Sequence, residues 1–548
     1  MATSLSSRSD VRPIDLRHSD KTSAALGGGR LRISPAVSVE FLYRDFDQKI
    51  PPRVDCMVLF AGPQLEQIVT AYKEAVRLFS GIRDPAELLK RLQASAEVQK
   101  IYESGVTDGK VSMVMRDSVF REPGPLERVE FKLRILAGKK RTLFYPVPLV
   151  RFGALGNLFP LLLGHHDENG IEARLRARLT RDDAEWSLQL LAFLKSEGCL
   201  APVQLSDEMP PSWAARPDVT LLSHSSLLVR SERSAVLLDP VVWQAMGIAQ
   251  RTFDILRTPL GAICCSHSHW DHCHFQTLLW LDKDVPILIP EVREPSVLNP
   301  PMADALHRLG FTDVREVQAW VPVRIDDIEI IPVPFRGEQD ELDFEMDHYT
   351  YVVRTAGLSL YGGVDCYRST NGDMRPVVER VGQIYRPDVA FLPVSKWICH
   401  YKWGGVNAFC RYLDQEMLEQ SFQYTAGPED AADWSVLLGA PTVVPYATFT
   451  FARGKVPPEA AQFAKELRKR GIGRRFYPMR PLDSLAVTDL GNGLRSRSRR
   501  WRLVAWSRGV GGLYRLSRRA GGGPHVSLSS PQAAHLIPIS VSLFGFTP

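Results

Sequence analysis

The sequence predicts an α/β protein in which a mixed N-terminal domain precedes a C-terminal α/β domain. With 548 residues, the chain is too long for one ordinary hydrophobic core. The segment PVQLSDEMPPSWAARPD contains four prolines and predicts a linker between two differently patterned halves. After this segment, short strands rich in β-branched residues alternate with Gly and Asp turns and with helices, which is the pattern of α/β folds.

The N-terminal half, residues 36–205, is predicted to mix helices and strands. PQLEQIVTAYKEAVRLFSGI and DPAELLKRLQASAEVQKIYES place apolar residues at helical spacing, and Asp84 can cap the second helix. RVEFKLRIL and KRTLFYPVPLV are typical of strands, and LTRDDAEWSLQLLAFLKSEGCL predicts a further amphipathic helix. Since no pattern here points to chemistry, we expect a docking or dimerisation domain. Residues 1–35, rich in Ser, Arg and Gly, are expected to be disordered.

Residues 215–485 are predicted to form the second domain, of the α/β class. Its strand-like segments recur every 10 to 30 residues, as expected for an α/β domain with many strands. These segments are SSLLVR, SAVLLDPVV, GAICCSH, PILIPE, IEIIPVPF, YTYVVRT, LSLYGG and DVAFLPVS.

The positive charge of the chain belongs to its tail. From Leu490 to the end there are nine arginines and no lysine, aspartate or glutamate, so the formal charge of +5 leaves −4 for residues 1–489. The body therefore offers no electrostatic case for nucleic-acid binding. The tail, residues 490–548, is expected to be an atypical disordered extension that the folded domains do not need, and the alternative is a basic arm for nucleic acid.

Three features of the sequence favour the cytoplasm. No apolar stretch approaches the roughly 20 residues that a membrane helix needs. The N-terminus lacks the apolar core of a secretory signal. The eight cysteines are scattered without a framework spacing, which is typical of free thiols in a reducing compartment. We therefore expect neither a membrane nor a nucleic-acid partner.

The stretch HSHWDHCHF, which begins at His267, holds the residues that carry chemistry. It follows the apolar strand GAICC and precedes a helix predicted around HFQTLLWL. His267 and His269 stand two apart, so in an extended segment they point to the same side and can bind one metal ion. Asp271 and His272 follow as the chain turns and can bind a second ion. His274 falls outside this spacing and is expected to be structural.

The HxHxDH spacing resembles the metallo-β-lactamase superfamily, which implies an αββα sandwich for the catalytic domain. The superfamily has a bridging aspartate after a later strand. Asp365 in LSLYGGVDC matches that position, and a carboxylate can bridge two cations through its two oxygens. The resemblance also implies a third ligand, usually histidine, after the strand IEIIPVPF. Glu338 stands there, and His348, ten residues later, is the competing candidate.

The last ligand implied by the resemblance is a histidine after the strand DVAFLPVS. His400 is the expected residue, because no other histidine follows before His525. The resemblance implies that the first ion is bound by His267, His269 and Glu338. The second ion would be bound by Asp271, His272 and His400, and the two ions would share Asp365. A carboxylate in place of an imidazole hardens the site and offsets the charge of a ferric ion, which favours two iron ions over two zinc ions.

The HxHxDH motif with Glu338, Asp365 and His400, over about residues 36–485, resembles the diiron β-hydroxylases of nonribosomal peptide synthesis. The resemblance implies a non-haem diiron monooxygenase that uses O2 and an electron-donor protein. It would hydroxylate the β-carbon of an aminoacyl group on a nonribosomal peptide synthetase carrier domain. Glu338 and Asp365 would be its catalytic ligands, and the enzyme would be a homodimer. The alternative is a dizinc hydrolase of the same superfamily, namely a thioesterase, lactonase or phosphodiesterase.

Overall fold

The computed structural model describes most of the chain between residues 31 and 486. The described residues are 31–33, 53–60, 63–121, 129–137, 141–147, 149–163, 168–196, 200–202, 218–241, 258–269, 271–338, 347–369, 372–401, 410–447, 458–473, 476–479 and 484–486. The predicted disordered residues 1–30, residues 203–217 of the predicted linker and the tail 490–548 lie outside them. Within these ranges, no helix combines the length and the apolarity that crossing a membrane requires.

The N-terminal part is mixed α/β, as predicted. Its helices are Pro63–Gly81, Pro85–Ala94, Ala96–Ile101, Asp117–Phe120, Phe152–Leu163, Glu168–Arg178 and Arg181–Ser196, with a 3-10 turn at Leu149–Arg151. Its strands are Leu31–Ile33, Arg53–Phe60, Tyr102–Thr107, Lys110–Met115, Val129–Ala137, Arg141–Val147 and Leu200–Pro202. The Asp84 carboxylate accepts a hydrogen bond from the Glu87 N–H at 2.7 Å, so the predicted helix cap is confirmed. Leu31–Ile33, expected to be disordered, instead pair with Leu200–Pro202.

Two sheets form the centre of the C-terminal part. In spatial order, the strands of the first sheet are Val314–Val317, Ile287–Pro290, Ala262–Cys264, Ala235–Leu238, Ser226–Arg230, Asp218–Ser223 and Ser484–Ala486. Those of the second are Val323–Ile325, Ile328–Pro334, Tyr349–Arg354, Ser359–Gly362, Val389–Pro393 and Thr442–Tyr446. Most of these strands are continuous apolar runs because both faces of each sheet are covered.

Helices cover the outer face of each sheet and complete an αββα sandwich. A core between the sheets includes Val229 from the first and Val353 from the second. Helices Arg375–Ile384, Pro428–Leu438 and Pro458–Lys469 pack on the second sheet. The predicted fold class is thus confirmed. The remaining helices are Phe275–Leu278, Ala303–Arg308 and Gln415–Glu419, and the remaining short strands are Arg368–Ser369, Gly372–Asp373, Ile398–His400, Tyr412–Asp414 and Ser421–Gln423.

The N-terminal region is separate in sequence but shares cores with the sandwich. Side chains of helix Phe152–Leu163, such as Phe159, pack in one core with Ile263 and Ile289 of the first sheet. Strand Tyr412–Asp414 pairs with the N-terminal strand Lys110–Met115. One outer helical layer of the sandwich therefore comes in large part from the N-terminal region.

Candidate metal centre

Local structure at the end of strand Ala262–Cys264 brings the HxHxDH side chains together. The chain leaves the strand and turns back on itself at His269, whose carbonyl accepts hydrogen bonds from the N–H groups of His272 at 3.0 Å and Cys273 at 2.7 Å. Helix Phe275–Leu278 begins directly afterwards, and His274 Nδ1 lies 2.8 Å from Thr277 Oγ1 in its first turn. This contact supports the structural role predicted for His274.

A first group of potential ligands consists of His267, His269 and Glu338. Glu338 Oε2 lies 3.0 Å from His267 Nε2 and 3.0 Å from His269 Nδ1. His267 and Glu338 are almost completely buried. Neither His267 Nε2 nor Glu338 Oε2 has a hydrogen-bond partner of good geometry among the described residues. Buried nitrogen and oxygen atoms that converge in this way fit a bound cation, because leaving them unsatisfied is costly.

A strained turn places Glu338 in the first group. Gly337 and Glu338 both have positive φ angles, of 118° and 64°. A Cβ atom at Gly337 would lie 2.6 Å from the backbone nitrogen of Tyr367, so only glycine fits there. The Glu338 N–H donates to the carbonyl of Tyr424 at 3.2 Å, which holds the turn. A non-glycine residue in this conformation is typical of functional sites, where surrounding contacts maintain the strain.

A second group consists of His224, Asp271, His272 and Asp365. His272 Nε2 lies 3.2 Å from Asp365 Oδ2. His224 Nε2 lies 3.5 Å from Asp271 Oδ2 and 3.6 Å from Asp365 Oδ2. Imidazole nitrogens thus face two carboxylates around one small volume. The arrangement can hold a second cation next to the first, since the rings of His267 and His272 are 4.1 Å apart between centroids.

The electrostatics of the two groups differ. Burial, with help from the imidazoles of His272 and His269, holds the pKa of His267 well below its usual range. Burial also lowers the pKa of His272, but nearby carboxylates, Asp365 first, outweigh it and raise the pKa well above the usual range. For Asp365, burial is outweighed by His224 and His272, so its pKa is well below normal. In the second group, Asp365 and His272 therefore stabilise each other's charged forms, whereas burial disfavours the charged form of His267 in the first group.

The structure brings six of the seven predicted ligands together, whereas the seventh, His400, lies apart from them. His267, His269 and Glu338 share one group, and Asp271, His272 and Asp365 the other. His400 is in neither group of the described residues. It is partly exposed at the end of strand Ile398–His400, which pairs with Ser421–Gln423 in a separate two-stranded sheet. His400 therefore stays a prediction as a metal ligand, and His224 is the histidine that the structure adds to the second group.

Sequence reasoning missed His224 because it considered only residues after the HxHxDH motif. His224 lies before the motif, in the turn between strands Asp218–Ser223 and Ser226–Arg230, with a φ of 35° and only 2% exposure. A polar SHSS interruption within an otherwise apolar hairpin was the available signal.

His348, the competing candidate for the third ligand, lies beside the first group without belonging to it. Its buried ring is 4.6 Å from the His267 ring and 5.3 Å from the Phe335 ring, between centroids. Burial, together with the neighbouring imidazoles of His267 and His269, holds its pKa well below the usual range. The geometry thus favours Glu338 over His348 as the third member of the first group.

Comparison with known proteins identifies the fold of the C-terminal part. Residues 234–446 match the family model described as "Beta-lactamase superfamily domain". This range includes the predicted motif and all the grouped residues except His224. Together with the αββα sandwich, it shows a metallo-β-lactamase fold.

Particular relatives confirm the resemblance to diiron β-hydroxylases. The 4-amino-L-phenylalanyl-[CmlP-peptidyl-carrier-protein] 3-hydroxylase of Streptomyces venezuelae is 30% identical over 148 residues, which are 26% of this chain and 28% of that protein. The chain thus matches less than a third of that relative's length. The structure of CmlA, a diiron β-hydroxylase from the same organism, superposes with a TM-score of 0.53 at 14% identity, covering 84% of this chain and 100% of that one. The likeness to CmlA extends the shared fold to the N-terminal region.

Proposed function

We propose that the protein is a non-haem diiron monooxygenase that hydroxylates the β-carbon of an aminoacyl group on a nonribosomal peptide synthetase carrier domain. The observation that carries the proposal is Glu338. It meets His267 and His269 at 3.0 Å, where the superfamily resemblance implies a histidine. The similarity to a hydroxylase of a carrier-protein-bound substrate supports the same activity.

The donor set fits iron. The two groups together present imidazoles and carboxylates and no thiolate, although the buried cysteines Cys265, Cys273 and Cys366 are close in sequence. Imidazole with hard carboxylate oxygen suits iron, whereas sulfur would favour softer ions. Two bound iron ions supply the redox chemistry that activates O2. One oxygen atom of O2 would enter the C–H bond and the other would leave as water, which requires two electrons from an electron-donor protein and two protons from solvent.

The side chains have distinct proposed roles. His267 would bind the first ion through Nε2 and His269 through Nδ1, because these are the atoms that face Glu338. His224 and His272 would bind the second ion through Nε2, the nitrogen that each directs at Asp365. The remaining ligands would be carboxylates, with Glu338 holding the first ion, Asp271 the second and Asp365 shared between them.

The proposed partners follow from the substrate. The aminoacyl group would arrive as a thioester on the carrier domain, and the N-terminal region would contribute to docking and to a homodimer. The N-terminal strand Lys110–Met115 pairs with Tyr412–Asp414 of the C-terminal part, so the proposed docking region is joined directly to the catalytic domain. The expected compartment is the cytoplasm, in keeping with the buried free thiols among the described residues.

Mass spectrometry of the carrier-bound substrate tests this function. Aminoacyl carrier proteins are incubated with chemically reduced enzyme and 18O2, and the tethered residue is released and analysed. We expect one labelled oxygen on the tethered residue and none on the free amino acid. Release of the aminoacyl group without added oxygen would instead identify a hydrolase. Glu316, exposed on the strand Val314–Val317, provides a matched glutamate-to-alanine control for Glu338.

A further inference from the structure

His348 is a buried histidine whose two ring nitrogens lack a hydrogen-bond partner. It directly precedes the strand Tyr349–Arg354 and is 3% exposed. Neither Nδ1 nor Nε2 makes a hydrogen bond within the described part of the chain. Every imidazole carries at least one N–H, and buried polar groups are nearly always hydrogen-bonded. These nitrogens therefore require a partner that the described residues do not supply.

Backbone hydrogen bonds hold His348 at the sheet edge where the first ligand group lies. Its carbonyl accepts from the N–H of Phe335 at 3.0 Å, in the segment that continues to Glu338. The N–H of the residue after His348 donates to the carbonyl of Ser266 at 3.0 Å, next to His267. His348 is thus fixed between the two segments that supply the first group.

The surroundings of His348 differ from those of the histidines proposed as ligands. A histidine that binds a metal ion almost always uses its second ring nitrogen in a hydrogen bond to the protein. His267 Nδ1 lies 2.8 Å from Ser266 Oγ. Likewise, His272 Nδ1 lies 3.0 Å from Ser225 Oγ. His348 has no such supporting bond among the described residues and stands outside both groups, so it is not built as a ligand.

The first group would leave open positions on its ion. His267, His269 and Glu338 are two imidazoles and one carboxylate, a set that leaves coordination positions free on non-haem iron. The second group, in contrast, offers four residues. The ring of His348 is 4.6 Å from the His267 ring and 5.8 Å from the His269 ring, between centroids. It therefore lies beside the ion at which an exogenous ligand has room to bind.

We propose that His348 is the hydrogen-bond partner of the exogenous ligand that occupies the open position on the first ion. The class of ligand is small and anionic, and the position is the one available to O2 in the proposed reaction. An imidazole N–H can donate to such a ligand, and hydrogen bonds to charged acceptors are about twice as strong as neutral ones. This inference deepens the metal-centre part of the proposed function and rests on it.

Binding of azide to the Co²⁺-loaded full-length chain tests the proposal, with visible absorption as the readout. His348→Phe keeps a flat ring but has no donor. It is expected to weaken azide binding by at least about 10-fold, the usual effect of losing a hydrogen bond to a charged group. Elemental analysis should still find both ions. His348→Gln, whose amide can donate, should recover most of the affinity. His307→Phe, on the helix Ala303–Arg308, is the matched control and should bind azide as the wild type does.

Three results would overturn the proposal. The first is equal azide affinity in His348→Phe and the wild type. The second is loss of a Co²⁺ ion from His348→Phe, which would make His348 a metal ligand. The third is azide binding that persists in Glu338→Ala and still depends on His348, which would assign His348 to the second ion. His348→Leu allows the same comparisons if His348→Phe does not fold. The titration uses neither O2 nor carrier protein, so its failure is distinct from a failure of hydroxylation.

Discussion

Ionisable side chains are buried both at the metal centre and at Lys283, but their polar atoms find partners in different ways. Lys283 is 1% exposed, and its Nζ donates to the carbonyls of Leu278 at 2.8 Å, Leu279 at 3.2 Å and Leu281 at 2.5 Å. It also lies 4.7 Å from the centre of the Phe311 ring. The chain itself therefore supplies every partner that this ammonium group requires.

At the metal centre, by contrast, the chain supplies ligand atoms that have no hydrogen-bond partner among the described residues. Glu338 Oε2 and His267 Nε2 face each other at 3.0 Å without hydrogen-bond geometry, in a buried site. The difference teaches that burial of charge alone does not indicate function. Lys283 is satisfied by backbone carbonyls and is structural, whereas the centre would be completed by a cation from solution.

Removal of metal is expected to have the largest effect on activity and stability, because it leaves the buried ligand atoms of the metal centre without a partner. The environment of Lys283 should not change. A chelator should abolish hydroxylation and lower the free energy of unfolding. The loss is about 4 kcal/mol where free metal had been a thousandfold above its Kd. Thermal melts before and after chelation measure it, and added Fe²⁺ should restore both properties. A chain equally stable with and without metal would contradict the contrast with Lys283.

Glu338→Ala is expected to lower hydroxylation by at least about 100-fold, because the first ion loses its carboxylate ligand. The iron content should fall by about half, since the second group is intact. Elemental analysis and the carrier-protein assay measure the two effects, with Glu316→Ala as the unaffected control. Full iron content in Glu338→Ala would remove Glu338 from the ligand set.

The pair His224→Ala and His400→Ala tests which histidine completes the second group. Both variants replace a histidine by alanine, so they differ only in the position of the histidine that is removed. We expect His224→Ala to lower affinity for the second ion by about 10- to 100-fold. His400→Ala should keep both ions, because His400 lies on a separate two-stranded sheet. Stepwise metal titration measures this, and the opposite result would restore the ligand set expected from sequence.

Lys283→Met should have the smallest effect, confined to the pH dependence of stability. Burial lowers the pKa of Lys283 to about 7. Between pH 7 and the ordinary lysine pKa of about 10.4, the unfolded state holds a proton that the folded state has lost, so stability rises with pH. In Lys283→Met this rise, about 2 kcal/mol from pH 7 to pH 9, should disappear. Chemical unfolding of both proteins at the two pH values checks it, and identical slopes would contradict it.

The sequence predicted the fold class and much of the site because their signals are local. The alternation of strands and turns indicated α/β, and the HxHxDH spacing placed four candidate ligands within six residues. Glu338 was predicted from its place after a strand, although its position in the first group depends on a strained turn fixed by Tyr367 and Tyr424.

What the sequence did not indicate depends on long-range packing. His224 reaches the second group from a hairpin that precedes the motif, and nothing local to SHSS specifies that approach. The sequence also did not indicate that the N-terminal region shares cores with the sandwich. Phe159 packs against the first sheet, whose residues lie more than 100 positions later in the chain. The predicted linker suggested two independent halves, whereas helix Phe152–Leu163 packs directly on the sandwich.

Metal analysis of the protein purified without added metal tests the central claim most directly. If Glu338, with His267 and His269, makes the first position an iron site, elemental analysis should find about two irons per chain. The Mössbauer spectrum of 57Fe-enriched protein should show that the irons form a coupled pair. About two zinc ions per chain, with no iron, would contradict the account and identify a hydrolase centre on the same fold.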